Sequence, residues 1–598
     1  MEKDKPFLVT TAIEDFWDTS YPIVFLGEWC KRYSRKRSWE KVASETMPSY
    51  FEENKSGNIY SYLNNVFERL LVVLHKQMNQ IHGVDFSIRY WRIIFGAWLI
   101  SYVHVIYDRY KNIEHFISLY PDFTSICLDS KCFVIPKDVI HFNCQLKNDD
   151  FNLQIYSSIL AELDYKLPTR ELTVSVPDVS VYFTEKSKWF KNILKNIYKL
   201  TSKIFQNKQQ VFLRNSYFSN WALFKLILKT KGAVWPCIHG YKDLPDYQAD
   251  YGAREALGKL DFGENEFEKM LVTLLPLYMP QSMVEGFSFL RKQAKNDFIS
   301  EPKAIMSAIS WWFDNTFRAW AAESVEKGTM LLGVQHGGNY GIAANLLQSD
   351  IELSIVDKFY SWGWEFCDNY AKVIPMPAPK LVGKKIKSPR GRKGVLYVLS
   401  SCARYSYQIP WSVNYWQDYF VNQTLFMSHL SESVANRLRL RPYKEDLGWD
   451  LRDRIKDSFP QIKIEDWDVA FSDSLRDCSV YVCDHPLCST TFIEALSNNK
   501  PTIIFYNPNF AANAVRDEVE ELFEQLKENS VIFDDPIKAA RHLNSVYGCI
   551  ESWWNEPKRQ AAVRSFLDRH GKTSPTWLQD WSEEILSIAK NGDKRGIV

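Results

Sequence analysis

The chain has 598 residues, too long for a single hydrophobic core, so we expect two large lobes with smaller appendages. Apolar residues make up 46% and charged residues 24% of the sequence, an ordinary globular composition that excludes a disordered chain. The net charge of +1 excludes the strongly basic character typical of nucleic-acid-binding proteins, and we expect no nucleic-acid partner.

The first 180 residues contain both strand and helix patterns. An apolar run at 22–30 predicts a buried strand that ends in a turn at Gly27. Apolar residues at helical spacing predict helices at 60–78 and 87–110. The most lipophilic run, 93–106, is interrupted by polar residues, which favours a buried helix over a membrane span. Further strands are predicted at 118–150, where loops alternate with them, at 174–183 and at 210–214.

The segment 186–208 has seven lysines, no acidic residue and apolar residues at helical spacing. Such a basic amphipathic helix can lie on an anionic membrane surface, which makes peripheral membrane contact one interpretation. The other is a surface helix that packs on the core while its lysines extend into solvent, and the helical periodicity favours this second interpretation.

Residues 255–330 show mainly helical spacing, and an apolar strand then leads into a glycine-rich turn at 335–338. A second strand is predicted at 358–364. The stretch 373–393 is dense first in proline and then in Lys and Arg, which is typical of a linker.

After the linker, strands and helices alternate with short connections, which predicts a parallel, doubly wound domain. The strands are predicted at 394–399, 462–464, 480–483, 502–506 and 531–533. The helices are predicted at 413–439, 489–497, 514–529 and 536–548, followed by a helical tail.

Cysteine and aromatic content add two expectations. The eleven cysteines form no CxxC pair, and the start of the sequence lacks the apolar segment of a secretory signal, so we expect reduced thiols and a cytoplasmic protein. Aromatic residues make up 15% of the chain. A large aromatic core is favoured as the explanation, and a cleft lined with rings for sugars is the alternative.

Three strand ends of the second lobe carry polar residues suited to an anion, because ligands of doubly wound sheets bind at the carboxyl ends of strands. The donor-binding candidates are Ser400, Ser401, Arg404, Arg439, Arg441, His485, Ser489, Thr490, Thr491 and Glu494. Ser489 to Thr491 begin a helix whose free N–H groups attract a phosphate, and Glu494 could accept hydrogen bonds from a ribose. The alternative is that Ser489 and Glu494 only cap that helix.

The turn at 335–338 is the main candidate in the first lobe. Gly337 and Gly338 permit a close backbone approach, but the spacing matches neither a dinucleotide motif nor a P-loop. His336 is either an acid–base residue or a structural histidine. Asp466 and Asp468 form a DxD pattern that we assign to a surface loop, so no metal site is expected.

These residues resemble the transferases of bacterial surface-carbohydrate (O-antigen-type) loci along almost the whole chain. The matching elements are TTAIE at 10–14, FLGEWC at 25–30, YWR at 90–92, YDR at 107–109, MP at 279–280 with Glu285, QHGG at 335–338, SWGW at 361–364 and WW at 553–554. The stretch 489–502 is similar to a wider set of GT-B glycosyltransferases, including enzymes that use CMP-activated acidic sugars.

The resemblance implies an α/β, GT-B-like fold with two Rossmann-like lobes and a central cleft. Extra helices are expected in the N-terminal lobe and a helical tail at the C-terminus. The implied boundaries are an acceptor-side lobe at 1–378, a linker at 379–393, a nucleotide-sugar lobe at 394–548 and helices at 549–598 that pack back on the N-terminal lobe.

The resemblance also implies a cytoplasmic, metal-independent glycosyltransferase of capsule, lipopolysaccharide or flagellar glycan assembly, without a cofactor. The implied donor is a CMP-linked ulosonic acid such as Kdo or a pseudaminic- or sialic-like acid, and UDP- or GDP-sugars stay open. The implied acceptor is a glycan or lipid-linked glycan. A polyol-phosphate transferase using CDP-glycerol and a non-catalytic assembly subunit are alternatives from other classes.

Sugar transfer requires a base or nucleophile from the first lobe. Glu28 is the first candidate, His336 the second and Glu14 the third. The residues expected to contact the acceptor or line the cleft are Trp29, Gln335, Gly337 and Gly338.

Overall fold

The computed structural model describes residues 5–51, 56–179, 210–237, 244–298, 301–366, 371–383, 394–401, 403–411, 413–510 and 514–591. The segment 186–208, for which membrane contact is one interpretation, and residues 384–393 of the expected linker lie outside these ranges. Within them, no helix is both long and apolar enough to cross a bilayer.

The first lobe is built on a six-stranded, fully parallel sheet in the order β11-β10-β9-β8-β6-β7. Its strands are β6 (Val211–Arg214), β7 (Val234–Pro236), β8 (Ala304–Ser307), β9 (Met330–Val334), β10 (Lys358–Ser361) and β11 (Lys372–Pro375). β8 and β9 are buried along their whole length, as expected for a parallel sheet covered on both faces.

The second lobe has a second six-stranded parallel sheet, in the order β14-β13-β12-β15-β16-β17. Its strands are β12 (Val395–Val398), β13 (Leu438–Arg441), β14 (Lys463–Ile464), β15 (Val480–Cys483), β16 (Thr502–Phe505) and β17 (Ile532–Phe533). This is the strand order of a dinucleotide-binding domain, so the carboxyl ends of β12 and β15 flank the point where ligands bind in such sheets.

Two smaller parallel sheets complete the strands of the described residues. β1 (Phe7–Val9), β2 (Ile23–Phe25) and β3 (Ser44–Thr46) form one sheet. β4 (Cys127–Leu128) and β5 (Thr169–Arg170) form the other. The three-stranded sheet brings the segment that follows β2 against the second lobe.

Helices surround these sheets. Those of the first lobe are α1 (Lys36–Trp39), α2 (Ser56–His82), α3 (Ile88–Leu119), α4 (Val139–Gln145), α5 (Asp149–Glu162), α6 (Asn220–Lys229), α7 (Tyr251–Gly258), α8 (Glu266–Tyr278), α9 (Phe287–Asp297), α10 (Ser310–Phe313), α11 (Asn315–Val325) and α12 (Leu347–Ile355). The run 93–106 lies in α3 and is buried throughout, which confirms the prediction of a buried helix.

The second lobe has fewer helices, and the tail follows them. They are α13 (Val413–Ser428), α14 (Glu432–Ala435), α15 (Leu451–Ser458), α16 (Phe471–Arg476), α17 (Thr491–Ser497), α18 (Asp517–Glu528), α19 (Pro536–Val546), α20 (Ile550–Trp554), α21 (Pro557–His570) and α22 (Trp577–Asn591). The tail does not pack on the N-terminal lobe alone, because α21 packs on α17 and α18, whereas α22 packs on α6.

The α/β fold class with two Rossmann-like lobes is confirmed by the two parallel sheets, each with its own core. Several element predictions are wrong. The residues described at 174–179 form no strand, and the stretch 118–150 contains the helix α4 besides β4. The mainly helical stretch 255–330 contains β8, and the proline-rich residues 372–375 form the edge strand β11. The helix predicted at 413–439 ends at Ser428, and β13 begins at Leu438.

Candidate active site

The glycine turn at the carboxyl end of β9 lies directly against the second lobe. The Gly338 N–H donates a hydrogen bond of 3.1 Å to Thr490 Oγ1. A Cβ atom at position 338 would lie 2.9 Å from Ile493 Cδ1 and 3.0 Å from the Ser489 carbonyl oxygen. Only glycine fits between the lobes here, so the turn and the start of α17 form one wall of the cleft.

Gln335 holds this turn in shape. Its Oε1 accepts hydrogen bonds from the Trp362 N–H at 2.7 Å and from Trp364 Nε1 at 2.9 Å, and its Nε2 donates to the Gly337 carbonyl at 2.8 Å. Gln335 is fully buried and supports the turn, and its contact with an acceptor stays a prediction.

His336 is oriented by a buried carboxylate, an arrangement typical of catalytic bases. His336 Nε2 lies 3.0 Å from Glu352 Oε1, on α12, and 2.8 Å from the Tyr340 hydroxyl. Burial raises the pKa of Glu352, and the neighbouring His336 acts in the opposite direction. Glu352 was not predicted, because its position inside a helix gives no sequence signal that links it to His336.

A chain of contacts runs from His336 across the cleft. The Tyr217 ring stacks on His336 with 6.1 Å between ring centroids, and Lys380 Nζ lies 5.9 Å from the centre of the Tyr217 ring. Lys380 Nζ also pairs with Glu494 Oε1 at 2.9 Å. The structure therefore places His336 and Glu494 at the same junction between lobes, and Lys380 is the partner of Glu494.

The helix start at 489–491 makes hydrogen bonds within the segment, whereas Glu494 pairs with Lys380 and does not cap the helix. Ser489 Oγ lies 2.6 Å from Thr491 Oγ1 and accepts a hydrogen bond of 3.2 Å from the Thr491 N–H. Thr491 Oγ1 also lies 2.7 Å from the Tyr481 hydroxyl. Donor binding by Ser489, Thr490 and Thr491 stays a prediction.

A buried carboxyl group lies at the end of β15, the strand next to β12. Asp484 Oδ2 accepts hydrogen bonds from the Tyr397 hydroxyl at 2.6 Å and from Gln423 Nε2 at 3.1 Å, and its Oδ1 accepts one from the Tyr419 hydroxyl at 3.1 Å. Loss of solvent raises the pKa of Asp484 to about 7, although these hydrogen bonds lower it. The Ser400 N–H donates to the same Tyr419 hydroxyl at 2.8 Å, so Asp484 supports the loop that carries Ser400 and the half-buried Ser401.

His485, the next residue, is enclosed by aromatic rings. Trp411, Tyr415, Trp416 and Tyr419 all have ring centroids within 5.9 Å of the imidazole. The Tyr415 hydroxyl contacts Nε2, and burial lowers the pKa of His485 to about 3. His485 is therefore a neutral, buried side chain. Some of the chain's many aromatic residues form the cluster that encloses it.

The arginine candidates are engaged within the protein. Arg404 is buried and donates hydrogen bonds to Asp149 Oδ2 at 2.5 Å and to the Trp29 carbonyl oxygen. Arg439 and Arg441 lie on strand β13, and Arg441 is its last residue. Both pair with the buried Glu465, at 3.4 and 2.8 Å. Arg441 also lies 4.5 Å from the ring centre of Trp467, the middle residue of the DxD pattern.

A second part of the cleft is a cavity of 1770 Å³ between the segment after β2 and the second lobe. Both Glu14, a catalytic candidate of the first lobe, and Arg404, a donor-binding candidate of the second lobe, line this cavity. The lining is mixed in charge. Its basic side chains include Arg35, Arg37, Lys444 and Lys456, and its acidic ones include Asp150, Asp446, Asp453 and Asp457.

Two further candidates near β2 lie beside this cavity rather than in its lining. Glu28 pairs with Lys31 at 2.6 Å. Trp29 is buried and donates from Nε1 to the Thr10 carbonyl at 3.0 Å. The roles of Glu28 and Glu14 stay predictions. Over the part of the chain that the structure describes, no group of three or more His, Cys, Asp or Glu side chains could hold a metal ion.

Comparisons with known proteins bear on this geometry. A family model described as LIC12162 family transferase matches residues 6–585. No curated protein matches the sequence. The solved structures similar to the chain include the wall teichoic acid polymerase TagF with CDPG, at 9% identity over 68% of this chain and 97% of that chain, with a TM-score of 0.31.

Two other similar structures are of sugar-related proteins. A mutant O-GlcNAc transferase from Thermobaculum terrenum is 10% identical over 89% of this chain and 98% of that chain, with a TM-score of 0.34. Anabaena Alr3699/HepE, in complex with UDP and glucose, is 11% identical over 63% of this chain and 98% of that chain, with a TM-score of 0.33.

Proposed function

The chain belongs to the LIC12162 family of transferases, and from this premise we propose that it transfers a glycosyl group from a nucleotide-activated donor to a glycan acceptor. The observation that carries the proposal is the His336–Glu352 pair at the carboxyl end of β9, held against the start of α17 in the second parallel sheet's lobe. A base in one lobe thus faces the lobe whose fold is suited to a nucleotide.

In the proposed reaction, an acceptor hydroxyl attacks the anomeric carbon while the bond to the nucleotide phosphate breaks. His336 removes the proton of that hydroxyl. Because Nε2 faces Glu352 and Tyr340, the proton is taken by Nδ1, through its lone pair. The buried Glu352 carboxylate then stabilises the imidazolium that forms. The departing phosphate takes up the negative charge at the second lobe.

The donor that we propose is a CMP-linked ulosonic acid. The similarity of the stretch 489–502 to transferases of such donors supports it. The donor would present a carboxylate as well as a phosphate. Arg35, Arg37, Lys444 and Lys456 are the cationic partners we propose for these groups, within a cavity lining that also contains acidic side chains. The acceptor we propose is a glycan of the cell surface.

Nucleotide-dependent thermal stabilisation tests the proposal, since a ligand that binds only the native state raises its stability, by about 2.7 kcal/mol at a hundredfold excess over Kd. We expect the melting temperature to rise with CMP more than with CDP, UDP or GDP. A larger rise with CDP, followed by polymer growth from CDP-glycerol, would indicate polyol-phosphate transfer. If no nucleotide raises the melting temperature, the transferase proposal fails and an assembly subunit is favoured.

A product assay then identifies the donor. The protein is incubated with CMP-Kdo, CMP-sialic acid or UDP-glucose and a glycan acceptor, and released nucleotide and new glycosidic linkages are followed by NMR. We expect release of CMP together with a new glycosidic linkage. The anomeric configuration of that linkage, compared with that of the donor, shows whether the reaction retains or inverts configuration. Turnover with UDP-glucose alone would contradict the CMP assignment but not glycosyl transfer.

A further inference from the structure

Helix α6 has an apolar face that the described residues of the protein leave exposed. Trp221 is 64% exposed, Leu228 is 55% exposed and Phe224 is 41% exposed. At 100° per residue these three side chains lie within one narrow arc of the helix. Trp221 and Phe224 stack with 5.7 Å between ring centroids and an angle of 17°. The three form a continuous apolar surface, unlike scattered exposed residues that need no explanation.

The opposite face already anchors the helix to the first lobe. Ala222, Leu226 and Ile227 are buried, and the helix packs on α22 and β7. Ser219 caps its start by accepting a hydrogen bond of 3.2 Å from the Ala222 N–H. The exposed face is therefore not needed to hold the helix in place.

Positive charge accompanies this apolar face. Lys225 Nζ lies 5.2 Å from the centre of the Trp221 ring, and Lys229 continues the same side of the helix. Residues 210–237 contain four basic residues and no Asp or Glu, and the sequence has no acidic residue anywhere from 186 to 242. Arg214 is paired with Asp314, so the positive charge beside the face comes from Lys225 and Lys229.

We propose that the face formed by Trp221, Phe224 and Leu228, with Lys225 and Lys229 beside it, docks on an anionic lipid bilayer. The aromatic side chains of Trp221 and Phe224 and the aliphatic side chain of Leu228 would insert at the boundary between headgroups and acyl chains. The two lysines would attract the anionic headgroups. A second copy of the chain suits this face less well, because its lysines would bring like charges together.

The segment that leads into the docking helix carries a residue of the candidate active site. Tyr217, three residues before α6, stacks on His336. A bilayer at α6 would thus place His336 near the membrane surface and would favour an acceptor carried by a lipid. This last step rests on the proposed function, whereas the docking itself does not.

Co-sedimentation of the full chain with vesicles tests the docking. We expect binding to phosphatidylcholine–phosphatidylglycerol vesicles and little binding to phosphatidylcholine alone. Replacing Trp221, Phe224 and Leu228 by Ser should lower the partition coefficient by about tenfold or more, because the apolar area that would be buried is lost. The matched control replaces three exposed residues elsewhere, Leu119→Ser, Tyr251→Ser and Val421→Ser, and should bind like the wild type.

Charge reversal separates the two contributions. Lys225→Glu with Lys229→Glu should reduce the preference for anionic vesicles. Equal binding by the Ser variant and its control would overturn the proposal, as would failure of the wild type to bind anionic vesicles. Light scattering that shows a dimer lost only in the Ser variant would assign the face to a second copy. Vesicle binding is measured without a donor. A protein that binds vesicles but transfers no sugar would therefore contradict the proposed function and leave the docking proposal intact.

Discussion

Asp484 and His485 are adjacent buried groups whose titrations act on stability in opposite directions. Asp484 has a pKa raised from 3.8 to about 7, so the native state holds a proton that the unfolded state releases, and this contribution to stability is lost as pH rises. His485 has a pKa lowered from 6.5 to about 3, so its contribution is lost as pH falls. Between about pH 4 and pH 6.5, the pH dependences that Asp484 and His485 give to the free energy of unfolding nearly cancel.

Replacing Asp484 with Asn should expose the contribution of His485. Asn cannot ionise, so relative to the wild type the free energy of unfolding of the variant should increase by about 1.4 kcal/mol per pH unit between roughly pH 4 and 7. Urea denaturation at several pH values measures this difference, and any constant offset from lost hydrogen bonds does not alter the slope. A flat difference across that range would show that Asp484 is ionised in the native protein.

His336 and Glu28 are rival candidates for the catalytic group. We expect His336→Gln to lower kcat by about 10²–10⁴, the usual contribution of a general base. We expect Glu28→Gln to stay within about tenfold of the wild type, because Lys31 already pairs with this carboxylate in a partly exposed ion pair.

The control for the histidine variant is His75→Gln, on the surface of α2, where Nδ1 only contacts the Val72 carbonyl. Steady-state kinetics decide between the two candidates. A folded Glu28→Gln protein without activity would restore Glu28 as the first candidate.

At the scale of elements, the second sheet was largely predictable because its strands are short, continuous apolar runs between turn signals. β12, β15 and β16 were all predicted within one residue at each end. β13 was missed because its Arg439 and Arg441 broke the apolar pattern, and only the structure shows that Glu465 pairs with both. β8 was missed because its apolar run continues into helical sequence, where periodicity does not separate the two states.

The candidate site was predictable only where a sequence motif marks a strand end. The turn carrying His336 and the helix start carrying Thr490 were both identified from such motifs, and the structure brings them into contact. Glu352, Asp484 and Tyr217 were missed, because their importance depends on which helix or loop lies opposite, and this is a tertiary contact.

Gly338→Ala tests whether the junction between turn and α17 matters for activity. The added methyl group would meet the Ser489 carbonyl and Thr490 Cα, both backbone atoms, at 3.0 and 3.1 Å, so α17 must move away. We expect kcat/KM to fall by at least about tenfold, with a stability loss of about 1–3 kcal/mol typical of overpacking.

The control is Gly57→Ala, near the start of α2, where a Cβ would meet nothing within 4 Å. Its stability should equal or slightly exceed that of the wild type, and its activity should not change. Unchanged kcat/KM in the Gly338 variant would remove the turn from the active site.

At the scale of the whole molecule, one loop of the second lobe reaches deeply into the first. From this loop, Arg404 contacts Asp149 and the Trp29 carbonyl, and the Ile409 N–H donates to His104 Nδ1 at 3.1 Å. The Arg109 side chain donates to the Ser406 carbonyl at 2.5 Å. The same loop begins at Ser400, a candidate for donor binding. A donor bound at Ser400 would therefore contact a loop whose other residues pack in the first lobe.

Asp149→Asn should uncouple the two lobes. Asp149 accepts hydrogen bonds from the Ala12 N–H, from Arg404 and from the Tyr405 hydroxyl, and Arg404 is only 1% exposed. Removing the carboxylate leaves a buried guanidinium without its counter-charge, a change that costs about 3–5 kcal/mol. In scanning calorimetry, we expect the variant to melt earlier and to resolve the lobes into two transitions.

Two further variants decide whether the buried charge is the cause. Glu445→Gln removes the partner of Lys147 in another pair between the lobes, where both side chains are about one-third exposed, and should cost no more than about 1 kcal/mol. Adding Arg404→Met to Asp149→Asn removes the uncompensated charge and should recover most of the lost stability. If Asp149→Asn costs no more than Glu445→Gln, the loop does not couple the lobes through this ion pair. In that case, the other contacts of the loop, among them the Arg109–Ser406 and Ile409–His104 hydrogen bonds, hold it against the first lobe.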